Sequence, residues 1–215
     1  MNLNDFLNVP FEEGIRNFLT RTPVLEGVSG ILAQRYSDEK VFGLARATTL
    51  FMTQYVQAAI GRSMREGRDT EETIQSIRKA LKGVSRSYAQ TVYRTNLNTA
   101  YNGARKDQAT QYPDFIVGFE FSATGDKNTR PNHLAFDGTR APANHPVWDL
   151  ATPPLGFNCR CAIRQVTRPE AKRRKWLDAE GGLIPFHPKL GKNFSVGSLR
   201  ISGAFADTPE FGRGG

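Results

Sequence analysis

The sequence is poor in the residues and patterns that mark extracellular or membrane proteins. Two cysteines in 215 residues, Cys159 and Cys161, are too few for the disulfide framework of a small secreted scaffold. No apolar run reaches the roughly 20 residues of a membrane-spanning helix, and the first residues lack the pattern of a secretory signal. We therefore expect a soluble protein made in a cytoplasm, where two cysteines are more typical of thiols or metal ligands than of a disulfide.

Common enzyme motifs are missing as well. The chain has no P-loop, no G-x-G-x-x-G, no H-E-x-x-H and no H-x-E…C-x-x-C. We therefore expect no enzymatic activity and assign no catalytic residue. The alternative that stays open is a zinc- or cysteine-dependent hydrolase, a nuclease or cell-wall enzyme used in infection. It would need an open metal position and a carboxylate base, for which Asp126 or Asp137 is available.

Acidic residues are fewer than basic ones, 21 against 29, which gives a net charge of +8. The excess is concentrated between residues 160 and 175, where the single acid is Glu170. The cations there are Arg160, Arg164, Arg168, Lys172, Arg173, Arg174 and Lys175. Such a patch predicts binding to the phosphates of double-stranded DNA without sequence preference, although a solvated basic surface would give the same balance.

Residues 1–112 have the periodicity of amphipathic helices, each with a start or stop signal. The first predicted helix follows Pro10 and is closed by Pro23, and the second covers about 38–65, with Ser37 as N-cap and Gly67 at its end. The third opens at Asp69 and is closed by Gly83. The fourth covers 86–111 and stops at Tyr112-Pro113. We therefore expect a helical domain over 1–112.

The character of the chain changes after Pro113. Alternating apolar and polar residues predict a strand that begins at about 116, and a second strand covers 159–166. Glycine, proline, asparagine and aspartate are dense between 124 and 157, and a metal would help to order such a segment. A short basic helix is predicted over 167–178. The expected fold is α+β: a helical N-terminal half, a small loop-rich, β-containing domain over 113–178, and an extended tail over 179–215.

The two cysteines flank one residue, Arg160. In an extended segment, residues i and i+2 face the same side, so both sulfurs would lie on one face. Two thiolates on one face suit zinc, which usually takes four nitrogen or sulfur ligands. His133 and His145 upstream are candidates for the others, and Asp126 is a further one. The spacing is not that of a standard zinc motif, and buried, metal-free cysteines remain the alternative.

Three segments together resemble the phage minor head proteins of the Mu F type. VYRTNLNTAYNGARKDQ (92–108) is similar to the family's Y-R-T-N-x-x-T-A-Y-x-x-G-R helix. GDKNTRPNHLAFDGTRAP (125–142) resembles its D-x-R-T-R-P-x-H element, and WDLATPPLGFNCRC (148–161) resembles its ending, P-P-x-G-F/Y-N-C-R-C. The motif positions that carry over are Arg94, Thr95, Asn96, Asp126, Thr129, Arg130, Pro131, His133, Gly138, Pro153, Pro154, Asn158, Cys159, Arg160 and Cys161.

The resemblance implies a structural protein of a tailed-phage virion, carried in small numbers inside the capsid. Such minor head proteins take part in head morphogenesis and associate with the portal, and some are thought to accompany the DNA and assist its ejection. The implied partners are the portal protein, packaged double-stranded DNA, and the major capsid or scaffold protein. Members are not established enzymes.

The chain departs from the family pattern in two places. Asn128 stands where the family often has arginine, and Gly156-Phe157 replaces a histidine that some relatives carry before the C-R-C element. If a metal is bound, that difference leaves its third and fourth ligands open. His145 lies outside the family element, so the resemblance favours His133 over His145.

Overall fold

The computed structural model describes residues 12–23, 41–42, 44, 49–67 and 69–195, and these fall into two compact units. The first contains the described residues up to Ala104, together with Gly156–Asn158. The second contains the other described residues from Arg105 onward. No helix in the described part of the chain is long and apolar enough to cross a membrane.

The first unit is helical. Its elements are α1 (Glu12–Leu19), β1 (Thr22–Pro23), β2 (Val41–Phe42), α2 (Leu50–Glu66), α3 (Thr70–Ala80) and the part of α4 (Arg86–Gln111) up to Ala104. The two short strands pair in parallel, and α2 packs against both α1 and α3. The core is aliphatic, with Ile60, Ile74 and Ile77 fully buried beside Phe18.

Helix α2 begins later than the sequence predicts. Thr49 is its N-cap, since the backbone there is extended and the threonine side chain accepts a hydrogen bond from the amide of Met52. Such a cap stabilises a helix start by about 1 kcal/mol. The prediction of a helix from about 38 is therefore wrong for residues 41–42, which form β2. Ser37 lies outside the described residues. The predicted end is confirmed, because Gly67 closes α2 in a left-handed conformation with φ 62°.

The second unit is built on a five-stranded antiparallel sheet. Its strands are β3 (Ile116–Ser122), β4 (Arg140–Pro142), β5 (Ala162–Thr167), β6 (Phe186–His187) and β7 (Gly191–Lys192), in the order β5-β3-β4-β6-β7. Three short helices, α5 (Pro131–Leu134), α6 (Val147–Ala151) and α7 (Arg168–Arg173), complete the unit. Aromatic side chains fill the core: Trp148 meets Phe119 edge to face, with ring centroids 5.5 Å apart, and Phe121 packs on Phe136.

The α+β class with a helical N-terminal part is confirmed, whereas several boundaries in the second unit differ from the prediction. β5 starts at Ala162 rather than 159, so both cysteines precede the strand. Helix α7 ends at Arg173 rather than 178, because Lys175 adopts a left-handed conformation with φ 55°. The segment predicted as a loop-rich tail contains β6 and β7, and the described residues end at Ser195.

Candidate metal centre

The register of β3 and β5 determines which loops meet at the end of the sheet. Ser122, the last residue of β3, pairs with Ala162, the first residue of β5. The chain leaving β3 therefore lies beside the chain entering β5. The first of these leads into α5, which carries His133, and the second carries both cysteines. His133, Cys159 and Cys161 are each about 98% buried, with 2% of their surface exposed.

The three side chains form one compact donor group. The Nδ1 atom of His133 lies 3.5 Å from the Cys159 sulfur and 3.6 Å from the Cys161 sulfur. All three ligand atoms lie within 4.8 Å of one another. A tetrahedral zinc ion, with bonds of about 2.3 Å to sulfur and 2.05 Å to nitrogen, separates a sulfur from a nitrogen ligand by about 3.6 Å. The donor set and its spacing therefore fit a zinc ion without rearrangement.

The electrostatics of the two sulfurs also favour a bound cation. The Cys161 thiol donates a hydrogen bond to Cys159, and His133 adds another, which lowers the pKa of Cys159 despite burial. The same hydrogen bond, together with burial, raises the pKa of Cys161. The thiolate form is therefore favoured at Cys159 and disfavoured at Cys161. A metal ion would stabilise both sulfurs as thiolates and compensate the buried negative charge.

Two of the five predicted ligands lie outside this group. Both carboxylate oxygens of Asp126 contact the guanidinium of Arg160, at 2.6 and 2.7 Å. His145 accepts a hydrogen bond at Nδ1 from the amide of Val147, and its ring packs on Phe194 with centroids 5.3 Å apart. Within the described residues, the donor group consists of His133, Cys159 and Cys161 alone. Sequence spacing could not separate the two histidines, since both lie in loop-rich segments.

Comparison with known proteins identifies the family. The model of the family described as "Phage Mu protein F like protein" matches residues 54–164, slightly more than half of the chain. The chain belongs to this family. The matched residues include the whole donor group and all three sequence segments that carry the resemblance.

Two curated relatives of the Mu F family are similar over longer stretches. The Mu-like prophage FluMu F protein of Haemophilus influenzae is 26% identical over 145 residues, covering 60% of this chain and 35% of the relative. The putative capsid assembly protein F of Escherichia phage Mu is 24% identical over 189 residues, covering 72% of this chain and 43% of the relative. The chain thus spans less than half the length of either relative. No solved structure matches.

Several Mu F motif residues have identifiable structural contacts. In the first unit, the Thr95 hydroxyl accepts a hydrogen bond of 2.9 Å from the amide of Asn158, which has a positive φ of 59°. The Asn96 side chain donates to the carbonyl of Val92, whereas Arg94 is exposed. The helix motif and the residue before Cys159 are therefore joined directly.

The remaining motif residues belong to the loops of the second unit and to the segment before Asn158. The Thr129 hydroxyl donates a hydrogen bond to the Asp126 carboxylate. Arg130 is the N-cap of α5, and Pro131 occupies the first turn of that helix. Gly138 adopts φ 75° and donates its amide hydrogen to the carbonyl of Phe121. The Pro153–Pro154 peptide bond is cis. These positions shape the turns on either side of the donor group.

The predicted DNA-binding cations divide into two sets. Arg160, Arg164, Arg168 and Arg174 are engaged within the protein. Arg164 forms ion pairs with Glu170 at 2.7 Å and with Glu120 at 3.2 Å. Arg174 also pairs with Glu170, at 3.2 Å. Arg168 donates hydrogen bonds to the carbonyls of Asp114 and Gly181. Lys172, Arg173 and Lys175 are exposed, and none has an ion pair within the part of the chain that the structure describes. The sequence did not indicate that Glu120 lies beside these arginines.

The structure also reveals a buried arginine that the sequence did not single out. The guanidinium of Arg140 stacks on the Trp176 ring at 3.7 Å from its centroid, and Glu120 lies 3.9 Å away. Arg174 covers the same ring at 4.8 Å. The Trp176 ring thus makes cation–π contacts with two arginines. Only the pairing of β4 with β3 brings Arg140 and Glu120 together, so sequence spacing carries no signal for this contact.

Proposed function

We propose that this chain is a structural protein of a tailed-phage virion, a minor head protein that lies near the portal inside the capsid. The observation that carries this proposal is membership of the Mu F family over residues 54–164. One relative of the chain is named as a putative capsid assembly protein of phage Mu. The proposed role is assistance in head assembly or genome ejection, without enzymatic activity.

Within the head, the chain contacts packaged double-stranded DNA through α7 and the turn after it. Lys172, Arg173 and Lys175 are exposed there, and the net charge of +8 favours a polyanionic partner. Phosphate contacts of this kind carry no base information, so binding is independent of DNA sequence. The portal protein and the major capsid or scaffold protein are the proposed protein partners.

The metal in the second unit is zinc, and its role is structural. Two sulfurs and one imidazole nitrogen are the donors that zinc prefers. The ligand side chains are buried, and among the described residues no carboxylate joins their group. Three protein donors leave the fourth position of a tetrahedral ion to another ligand, but a hydrolytic site would also need a general base beside it. Burial, and the lack of a carboxylate in the group among the described residues, favour a structural ion over the hydrolase alternative. The ion would hold α5 and the start of β5 together.

The proposed location is tested with purified virions of the phage that encodes the chain. Quantitative mass spectrometry should detect it in DNA-filled heads at a small fraction of the abundance of the major capsid protein. Disruption of its gene should give heads that assemble or eject DNA defectively. Absence of the chain from mature particles would instead identify an assembly factor that leaves before maturation, and would overturn the proposed location.

A further inference from the structure

The residue between the two cysteines makes a forked ion pair. Arg160 contacts Asp126 through both terminal nitrogens, with Nη1–Oδ2 at 2.6 Å and Nη2–Oδ1 at 2.7 Å. Both side chains are more than one third exposed. The Arg160 guanidinium holds the pKa of Asp126 well below its usual range. Two parallel, charge-assisted hydrogen bonds fix direction as well as distance, because the planar guanidinium matches the carboxylate.

The forked pair is exposed, whereas the two sulfurs beside it are buried. Cys159 and Cys161 are buried, whereas Arg160 between them is exposed. Because Arg160 is bonded to both cysteines, a change of the backbone at Arg160 would also move both sulfurs. The hydroxyl of Thr124 donates to the Arg160 carbonyl at 3.1 Å, which fixes the backbone at the same residue. Side chain and main chain of Arg160 are therefore both anchored to the loop after β3.

The other end of the fork is part of a tight turn that leads into α5. The Asp126 carboxylate also accepts hydrogen bonds from the amide of Asn128 at 3.0 Å and from the hydroxyl of Thr129 at 3.1 Å. The Thr129 amide donates to the Asp126 carbonyl at 2.9 Å. This turn precedes Arg130, the N-cap of the helix that carries His133. Asp126 is thus rigidly connected to the third member of the donor group.

We propose that Asp126 and Arg160 are a positioning pair for the metal ligands. The pair connects the segment that supplies two sulfurs to the turn that supplies the imidazole, and it sets their separation from outside the buried group. This role replaces both sequence-based assignments, Asp126 as a ligand and Arg160 as a DNA contact. The inference rests on the proposed zinc site. Supporting residues outside the ligand set typically change metal affinity by about 10- to 100-fold.

The experiment measures zinc affinity by competition with a chromophoric chelator, using the full chain. Arg160→Ala and Asp126→Ala should each bind zinc about 10- to 100-fold more weakly than the wild type. The double variant should be no weaker than the weaker single variant, because either change removes the whole fork. Losses that add in the double variant would overturn the pairing.

A matched control is available in the first unit. Arg86 and Glu71 form another exposed, forked pair, with contacts of 2.6 and 3.3 Å, and it lies outside the unit that holds the donor group. Arg86→Ala and Glu71→Ala should leave zinc affinity unchanged. A loss equal to that of Arg160→Ala would show that the effect is not specific to the fork, and would overturn the inference.

Denaturant unfolding of the zinc-free proteins separates positioning from general destabilisation. Exposed ion pairs contribute little to stability, so the zinc-free Arg160→Ala and wild-type chains should unfold at similar urea concentrations. A midpoint that falls in parallel with the affinity would overturn the positioning role. Wild-type affinity in both fork variants would also overturn it while leaving the zinc proposal intact. A wild-type chain that binds no zinc would overturn the zinc proposal itself, and the positioning role with it.

Discussion

Gly118 lies in β3 where the backbone of β4 and the side chain of Leu183 leave no room for a side chain. A side-chain carbon built on it would lie 2.2 Å from the carbonyl oxygen of Ala141 and 2.5 Å from Leu183. The first contact is with backbone in the centre of the sheet, which cannot move without breaking the β3–β4 register. Glycine is therefore required here for space rather than for an unusual backbone angle.

Gly118→Ala should destabilise the second unit by about 1 to 3 kcal/mol, since overpacking forces the strands apart. Chemical denaturation monitored by circular dichroism measures the loss. The control is Gly61→Ala in helix α2, where the new methyl group meets only the flexible end of Leu19. Alanine is the better helix former by about 1 kcal/mol, so this change should be neutral or stabilising. Equal destabilisation by both substitutions would contradict the steric argument.

Single-residue assignments show what sequence spacing can and cannot determine. Alternation along the chain indicated that both sulfurs face one way, and the structure places both beside His133. The family resemblance favoured His133 over His145, whereas spacing alone could not choose, because the choice depends on which loop leaves the sheet next to β5. The partner of Arg160 was unpredictable from spacing, because α5, β4 and α6 separate it from Asp126 in the sequence.

Helix α7 is the element on which the proposed DNA contact depends. Its Thr167 N-cap accepts a hydrogen bond from the amide of Glu170, and its exposed face carries Lys172 and Arg173. Glu170 faces inward and neutralises Arg164 and Arg174. The charges that remain available to a phosphate backbone are thus fewer than the sequence suggested.

Lys172→Glu with Arg173→Glu should weaken binding to duplex DNA by at least about 10-fold in electrophoretic or fluorescence titrations. The dependence of log affinity on log salt concentration should also become shallower by about 2, close to one per lost phosphate contact. The control, Arg62→Glu with Arg65→Glu, changes the net charge equally on the exposed face of α2. If both double variants lose the same affinity for DNA, binding depends on net charge alone and α7 is not the DNA-binding element.

Helices and strands with strong local signals were predicted well. The third and fourth helices and the strand that begins at 116 are confirmed, since their caps, glycines and apolar periodicity act over a few residues. The two-residue strands β6 and β7 were missed because their pairing with β4 is a property of the sheet, not of the local sequence. The start of α2 was missed because the apolar stripe continues upstream of Thr49.

The candidate metal ligands and the basic helix α7 lie in the same unit of the chain. Every residue of the donor group and of the basic helix belongs to the second unit, which is small and depends on short strands. The first unit has a separate aliphatic core within its helices. Metal binding should therefore act on the stability of one unit and leave the other nearly unchanged.

Elemental analysis should find about one zinc ion per chain, and a strong chelator should remove it. Hydrogen exchange followed by mass spectrometry should then show faster exchange in α5 and β5, with little change in α2 and α3. Cys159→Ser should behave like the chelated protein, whereas His145→Ala should retain the metal. Unchanged exchange after zinc removal would support buried thiols without a metal role.

The placement of the tryptophans gives the molecule a built-in optical probe. The chain has two, Trp148 in the aromatic core and Trp176 in contact with the guanidiniums of Arg140 and Arg174, and both belong to the second unit. The first unit contains tyrosines but no tryptophan. Selectively excited indole emission therefore follows the sheet alone, while far-ultraviolet dichroism follows mainly the helices of the first unit. The melting of each unit can thus be recorded in the same cuvette without any label.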